Sequence, residues 1–101
     1  MDTAFLQQIG LNKTQAVAYK LLIENGSLTP PELSDKSGEG RTNSYKVLDQ
    51  LVNLGLAEKS PNTKKLSYLA TNPTNLERFI EKKRKSILQV EQQVKAQMPQ
   101  L

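Results

Sequence analysis

The sequence contains no cysteine and no histidine among its 101 residues. Without cysteine, the chain can form neither a disulfide framework nor a thiolate metal site. Without histidine, it lacks the commonest zinc ligand and the commonest general base. We therefore expect a protein that needs no metal and no cofactor.

Long apolar runs are missing as well. The segment from Met1 to Phe5 has neither the basic residues nor the apolar stretch of a signal peptide, and no other run is long enough to cross a bilayer. The length suffices for one domain with a modest core. These absences predict a cytoplasmic protein without a membrane partner.

The pattern of an enzyme active site is also missing. The 10 acidic residues are scattered along the chain, and no glycine-rich phosphate loop precedes a predicted helix. The serines have no histidine partner for nucleophilic catalysis. We expect no catalytic residue.

What the sequence does have is a net charge of +4 that is unevenly distributed. Residues 1–40 carry three basic and five acidic side chains. Residues 41–65 carry five basic against two acidic side chains, and residues 77–95 carry six against three. The positive excess lies wholly after residue 40, which is typical of a surface that faces a polyanion such as a nucleic acid.

Helix signals dominate the first part of the chain. An apolar patch at residues 5–9 predicts a short helix. Asn12 and Gln15 have the spacing of a capping box at the start of a second helix, and Gly26 supplies its stop.

A second capping box follows directly. Thr29 and Glu32 have the required spacing, and Pro30 stands at the first helical position. This third helix can extend only to about Ser37, because a Gly-Glu-Gly turn comes next.

Apolar spacing resumes at Arg41 and stops at Gly55, which predicts a helix over about residues 41–54. Ser44 falls on its apolar face and is small enough to be buried there.

Two extended runs, at residues 56–59 and 66–70, flank a turn that contains proline and predict a β-hairpin. The order helix, short helix, glycine turn, helix and hairpin is typical of a winged helix-turn-helix domain. We assign this domain to residues 1–72. The predicted fold class is mainly α with a small β-hairpin, followed by a long carboxy-terminal helix.

That last helix is predicted after Asn72-Pro73, with a cap within residues 74–77, and extends to about Gln97. Residues 73–101 are assigned to it as a dimerisation unit. Apolar residues recur there at heptad spacing, with Lys83 and Gln97 as polar interruptions. A helix folded back onto its own domain is the alternative. Parallel and antiparallel pairing both stay open. The predicted dimer seam consists of Leu76, Ile80, Ile87, Val90 and Val94.

In a winged helix-turn-helix domain the second helix of the pair enters the major groove, so residues 41–54 are the candidate recognition helix. Its outward face carries Arg, Lys, Asn, Gln and Thr, which suit base edges, and the lysines of the wing, about residues 57–70, suit phosphates or the minor groove. An ordinary solvated surface is the alternative.

Asp49 is the acidic residue on this outward face, and it would pair with Lys46 or accept a hydrogen bond from cytosine. The predicted DNA-binding residues are Arg41, Thr42, Asn43, Tyr45, Lys46, Gln50, Lys59, Lys64 and Lys65.

A family resemblance supports this interpretation. Residues 5–16 (FLQQIGLNKTQA), 37–48 (SGEGRTNSYKVL) and 51–58 (LVNLGLAE), together with Tyr68, resemble the TrmB-type transcriptional regulators. The likeness covers roughly residues 5–85. It implies archaeal or bacterial transcription control, often of sugar metabolism, with Arg41, Thr42, Asn43 and Tyr45 near DNA.

The sequence departs from this family in three ways. Gly40 stands where the family commonly has proline, which implies a looser turn. Leu66 and Ser67 replace the basic residues that usually precede Tyr68. The chain has no room for the family's carboxy-terminal sugar-binding domain, so a sugar-responsive role is not carried over and no small-molecule effector is evident from the sequence.

These observations predict a sequence-specific regulator that binds double-stranded DNA as a homodimer, in the cytoplasm and on the nucleoid of a prokaryote. A winged-helix module that binds protein, with its basic groups incidental, is the alternative. A membrane-surface protein fits less well, because the last helix has no Trp and Phe79 is its single aromatic residue.

Overall fold

The computed structural model of the protein describes residues 2–60 and 65–97. These residues form five helices and three short strands. In chain order they are α1 (Thr3–Gln8), α2 (Lys13–Asn25), β1 (Ser27–Leu28), α3 (Pro30–Ser37), α4 (Arg41–Asn53), β2 (Ala57–Lys59), β3 (Tyr68–Ala70) and α5 (Asn75–Gln97).

Capping boxes fix the starts of α2 and α3. The Asn12 side chain accepts a hydrogen bond from the Gln15 amide N–H at 2.8 Å, and the Gln15 side chain accepts one from the Asn12 amide at 3.1 Å. Thr29 and Glu32 are paired in the same way, at 3.3 and 3.0 Å. A cap of this kind stabilises a helix by about 1 kcal/mol. Both predicted helix starts are confirmed.

The predicted hairpin is confirmed, and the sheet has a third strand that the sequence did not predict. β3 is the central strand and pairs antiparallel with β2 on one edge and β1 on the other. Tyr68 lies opposite Lys59 in one pair and opposite Leu28 in the other. A two-residue strand is too short to show alternation, so only the folded chain brings β1 into register.

The core lies between α2, α3, α4 and the sheet. Leu22, Leu33, Leu48 and Leu51 are each at most 1% exposed, and burying a leucine contributes about 1.5–3 kcal/mol. Ser44 is fully buried, as predicted, and its hydroxyl donates to the Gly40 carbonyl oxygen at 3.0 Å. That bond supplies the partner which a buried hydroxyl needs.

Helix α5 begins inside this core and then leaves it. Leu76 and Phe79 are 8% and 4% exposed, and Ile80 is half-buried. From Glu81 to Gln97 every side chain is exposed. The projecting helix is why the molecule is 57 Å long but only 25 by 23 Å across. Only the first turns of α5 pack on their own domain, so the alternative of a helix folded back along its length does not describe this structure.

Lys83 of α5 lies close to Gly10. Gly10 has a φ of +121°, and a Cβ atom placed there would lie 3.0 Å from Lys83 Cε. The aliphatic stem of Lys83 therefore crosses the corner between α1 and α2. Its ammonium group lies 5.7 Å from the centre of the Phe79 ring, within range of a cation–π interaction.

Candidate nucleic-acid interface

Helix α4 has one buried and one exposed side. Its apolar side contributes Val47, Leu48 and Leu51 to the core. On the opposite side, the residues of the first two turns are exposed to solvent and are not covered by α5. We call this surface the α4 outer face; it consists of Arg41, Thr42, Asn43, Tyr45 and Lys46.

The turn that leads into α4 is held by side-chain hydrogen bonds. Gly38 adopts the left-handed conformation, with φ +80°, and its amide donates to the Ser34 carbonyl oxygen. The Ser34 hydroxyl donates to the Glu39 carbonyl oxygen at 2.6 Å, and the Glu39 amide donates to Ser37 Oγ at 3.2 Å. Gly40 has a φ of −66°, a value that proline also adopts. The turn is therefore tied at several points without the family's proline.

Gln50 lies at the edge of the α4 outer face and is half-buried. Its side-chain oxygen accepts a hydrogen bond from Gln15 Nε2 at 3.1 Å. Gln15 is also the capping residue of α2. The amide plane of Gln50 is therefore fixed by α2, although the sequence placed this side chain outward.

Asp49 faces the wing. Tyr68 Oη donates to Asp49 Oδ1 at 2.7 Å, and Lys59 Nζ lies 3.7 Å from the same oxygen. Lys59 Nζ is also 5.9 Å from the centre of the Tyr68 ring. The interpretation that Asp49 pairs with Lys46 is therefore wrong: among the described residues its ion pair is with Lys59. The hydroxyl of buried Tyr68 draws the carboxylate toward the sheet.

Burial is the main reason why the pKa of Tyr68 is raised far above its ordinary value. The hydrogen bond to Asp49 and the negative charge of that carboxylate raise the pKa further. Tyr68 therefore stays a protonated donor throughout the physiological range, and the link between β3 and α4 persists.

The described part of the wing carries two of the predicted basic residues. Lys59 is exposed but is engaged with Asp49. Lys65 is exposed and borders a groove with Tyr45 and Leu66. Its charge is one of the smaller causes of the lowered pKa of Glu32, which is due first to the hydrogen bond from the Thr29 backbone. Lys64 lies outside the described residues.

The fold buries the first part of the predicted dimer seam on α5 and leaves the second part exposed. Leu76 is buried in the core of its own domain and Ile80 is half-buried. Ile87, Val90 and Val94 are 59%, 58% and 52% exposed. Leu88, which the heptad spacing did not include, is 49% exposed beside them. An apolar surface available to a partner therefore begins only in the second half of α5.

The sequence interpretation missed the link between Tyr68, Asp49 and Lys59. A signal for it was present, because a tyrosine on a buried strand needs an acceptor for its hydroxyl. Asp49 was the one acidic residue on the otherwise basic helix. The distance of 19 residues between Tyr68 and Asp49 hid the pairing.

Within the described residues, no helix combines the length and the apolar character that a membrane span requires.

Comparison with known proteins identifies the family. A family model described as the sugar-specific transcriptional regulator TrmB matches residues 6–74. A search of curated proteins gave no match.

Several solved structures share the fold. TrmBL2, described as an archaeal chromatin protein with a novel mode of DNA binding, is 28% identical with a TM-score of 0.75. The match covers 99% of this chain but 42% of that chain, so the chain spans less than half the length of TrmBL2. A possible transcriptional regulator from Methanosarcina mazei has a TM-score of 0.70 at 14% identity, covering 89% of this chain and 82% of that one. A MarR family protein from Bacillus stearothermophilus has a TM-score of 0.62 at 24% identity, covering 84% and 62%.

The likenesses at 24% and 14% identity show a shared fold alone. The family match covers more than half of the chain, from α1 to the residue before α5. The protein therefore belongs to the TrmB family of transcriptional regulators, whose DNA-binding unit is a winged helix.

Proposed function

We propose that the protein is a non-enzymatic regulator that binds double-stranded DNA sequence-specifically as a homodimer, in the cytoplasm of a prokaryote. Residues 1–72 bind DNA and residues 73–101 dimerise. The observation that carries this proposal is the α4 outer face, which stays open to solvent on the side of α4 that points away from the core. A rod of this kind fits the major groove of B-DNA.

The side chains of the α4 outer face suit base recognition. Arg41 and Lys46 can donate to guanine O6 and N7, and Asn43 can pair with adenine. Thr42 can donate to a base or contact a thymine methyl group. Gln50 adds an amide whose plane Gln15 fixes, so it meets a base with little loss of side-chain freedom.

The wing supplies affinity more than sequence choice. Lys59, Lys64 and Lys65 are candidates for phosphate contacts, which position a protein on the duplex without reading it. The ion pair of Lys59 with Asp49 reduces the charge that Lys59 offers to a phosphate. Lys65 is exposed beside Tyr45 and Leu66, and it is the described wing lysine whose replacement we test below.

The dimer would use the exposed apolar residues of α5. Ile87, Val90 and Val94 are more than half exposed on a helix that leaves the domain. Two recognition helices related by a two-fold axis would read an operator with symmetric half-sites about one helical turn apart.

The test is binding to labelled duplex DNA from a random pool at several salt concentrations. We expect affinity to fall steeply with salt, because bound phosphates release counterions. Lys65→Ala should reduce the salt slope by about one without changing base preference. Arg41→Ala and Asn43→Ala should each lose roughly 1–3 kcal/mol of discrimination at one base pair.

Lys20→Ala is the matched control, since Lys20 lies on α2 in the acidic part of the chain and pairs with Glu24. It removes one positive charge and should leave both the slope and the preference unchanged. If no duplex binds at low salt, the protein-interaction module becomes the better proposal.

A further inference from the structure

The second half of α5 has an apolar stripe that its own domain leaves uncovered. Ile87, Val90 and Val94 follow one another at intervals of three and four residues, so they lie on one side of the helix. All three are more than half exposed. Such a stripe is the seam of a coiled coil when a second helix lies on it.

We propose, building on the homodimer above, that the occupant of this stripe is α5 of a second copy running antiparallel. Ile87 then packs against Val90 of the partner subunit, and Val90 against the partner's Ile87. The two-fold axis passes between positions 88 and 89.

Charge complementarity favours this direction. Arg84 and Glu91 are seven residues apart and flank the stripe on the same side. In the antiparallel pair, Arg84 comes beside the partner's Glu91 and Glu91 beside the partner's Arg84. In a parallel pair, the flanking positions opposite Arg84 and Glu91 hold Phe79 and Ser86, which carry no charge.

Arg84 is free to make this pairing. Its present ion pair is with Glu81 on the same helix at 3.6 Å, and both side chains are more than half exposed. An exposed pair of this kind is weak, so exchange for a partner carboxylate costs little.

Lys83 points to the same direction of pairing. A parallel dimer would bring the two copies of Lys83 to the same level of the rod and set two like charges near each other. In the antiparallel dimer the two copies lie on opposite sides of the two-fold axis, about 16 Å apart along the rod. The stem of Lys83 already covers Gly10 and its ammonium group lies over Phe79, so the charge stays with its own domain.

The antiparallel arrangement also spaces the two domains. Leu76, where α5 leaves the core, lies 12.5 residues from the axis, so the two copies of Leu76 are about 37 Å apart along the rod. One turn of B-DNA is about 34–36 Å. Two domains separated in this way can face successive major grooves on one side of the duplex.

Charge reversal tests the direction. In sedimentation equilibrium at low salt, Arg84→Glu and Glu91→Arg should each weaken the dimer by roughly three- to thirtyfold, because each reversal turns two attractive contacts into repulsive ones. The double variant should restore the wild-type dissociation constant to within about threefold. Lys85→Glu is the matched control: it makes the same charge change outside the seam and should have little effect.

A distance measurement separates this proposal from the dimer itself. The natural chain has no cysteine, so Ala96→Cys carries a single nitroxide label on an exposed position. The labels should be about 22 Å apart along an antiparallel rod and side by side in a parallel one. A dimer with adjacent labels, or a double variant as weak as the single ones, overturns the antiparallel direction alone. A monomer at all concentrations overturns the homodimer as well, whereas DNA binding is measured independently.

Discussion

Tyr68 shows how one hydroxyl can join two functional elements. Its ring is fully buried between the sheet and α4, and its Oη donates to Asp49 at 2.7 Å. Lys59 balances the carboxylate from the neighbouring strand. The wing strand is therefore tied to the helix that presents the α4 outer face, and Asp49, the acidic residue of α4, is engaged with the wing.

A pH dependence of stability follows from this bond. The pKa of Tyr68 is raised in the folded state by burial and by Asp49, and burial also raises the pKa of Tyr19. A raised pKa gives stability that is complete below the unfolded value of about 10 and is lost as the pH rises toward the folded value. We expect the free energy of unfolding, measured in urea, to be flat with respect to these tyrosines up to about pH 9 and to fall above about pH 10.

The Tyr68→Phe variant separates the contribution of Tyr68 to the pH dependence of stability from that of Tyr19. It keeps the ring packing but loses the hydrogen bond to a charged acceptor, so it should lower stability by about 1–2 kcal/mol at pH 7. The free energy of unfolding of this variant should fall less steeply above pH 10 than that of the wild type, because only Tyr19 then has a raised pKa. Equally steep losses of stability in both proteins would show that Tyr68 does not cause the pH dependence.

At the scale of elements, the turn between α3 and α4 decides how the recognition helix begins. Hydrogen bonds from Ser34 and Glu39 tie the turn, yet the N-cap of α4 is Gly40, which has no side chain to cap the helix. Its backbone is extended, with φ −66° and ψ 159°, and a Cβ atom added there would meet no described atom of another element within 4 Å. This is the one described helix start among α1 to α4 that lacks a side-chain cap.

Gly40→Ser should therefore stabilise the protein. The serine oxygen can accept from a free amide in the first turn of α4, which adds a few tenths of a kcal/mol relative to glycine. Loss of chain freedom in the unfolded state adds about 0.4–1 kcal/mol. Urea denaturation should show a total gain of about 1 kcal/mol.

Gly40→Ala is the comparison for this change, because it restricts the unfolded chain without adding an acceptor. We expect its free energy of unfolding to lie between those of the wild type and the serine variant. A serine variant no more stable than the alanine one would mean that the cap does not form.

At the scale of the whole molecule, a packed domain continues into a projecting helix. The domain ends its contacts with α5 near Ile80 and Lys83, and the side chains of the rest of α5, up to Gln97, are exposed to solvent. An isolated helix of this length is marginal in water. Dimerisation would give the projecting part a partner and so contribute to the stability of the whole chain.

The melting temperature should accordingly depend on protein concentration. A hundredfold rise in concentration stabilises a coupled dimer by about 2.7 kcal/mol at most, so circular dichroism should show an increase of several degrees. Val90→Asp should remove this dependence. Val90 is 58% exposed, so its replacement leaves the packing of the domain intact. An unchanged melting temperature in the wild type would contradict the dimer.

The sequence was most informative where the signal is local. The starts of α2 and α3 were predicted from pairs three residues apart, Asn12 with Gln15 and Thr29 with Glu32. The buried side of α4 was predicted from apolar spacing, including Ser44. The strand β1 was not predicted, because two residues have no period and Leu28 pairs only with a strand about 40 residues later.

The sequence by itself thus determined the helices, the hairpin, the exposed α4 outer face and the family, since caps, stops and periodicity act within one or two turns. Tertiary structure decided which polar side chains meet. Gln15 donates a hydrogen bond to Gln50, which is 35 residues away in the chain, and Tyr68 donates one to Asp49, which is 19 residues away. It also decided that Leu76 belongs to the core while Ile87 does not. These contacts depend on which surfaces the packed elements bring together. A pattern that spans one or two helical turns does not specify contacts between residues so far apart in the chain.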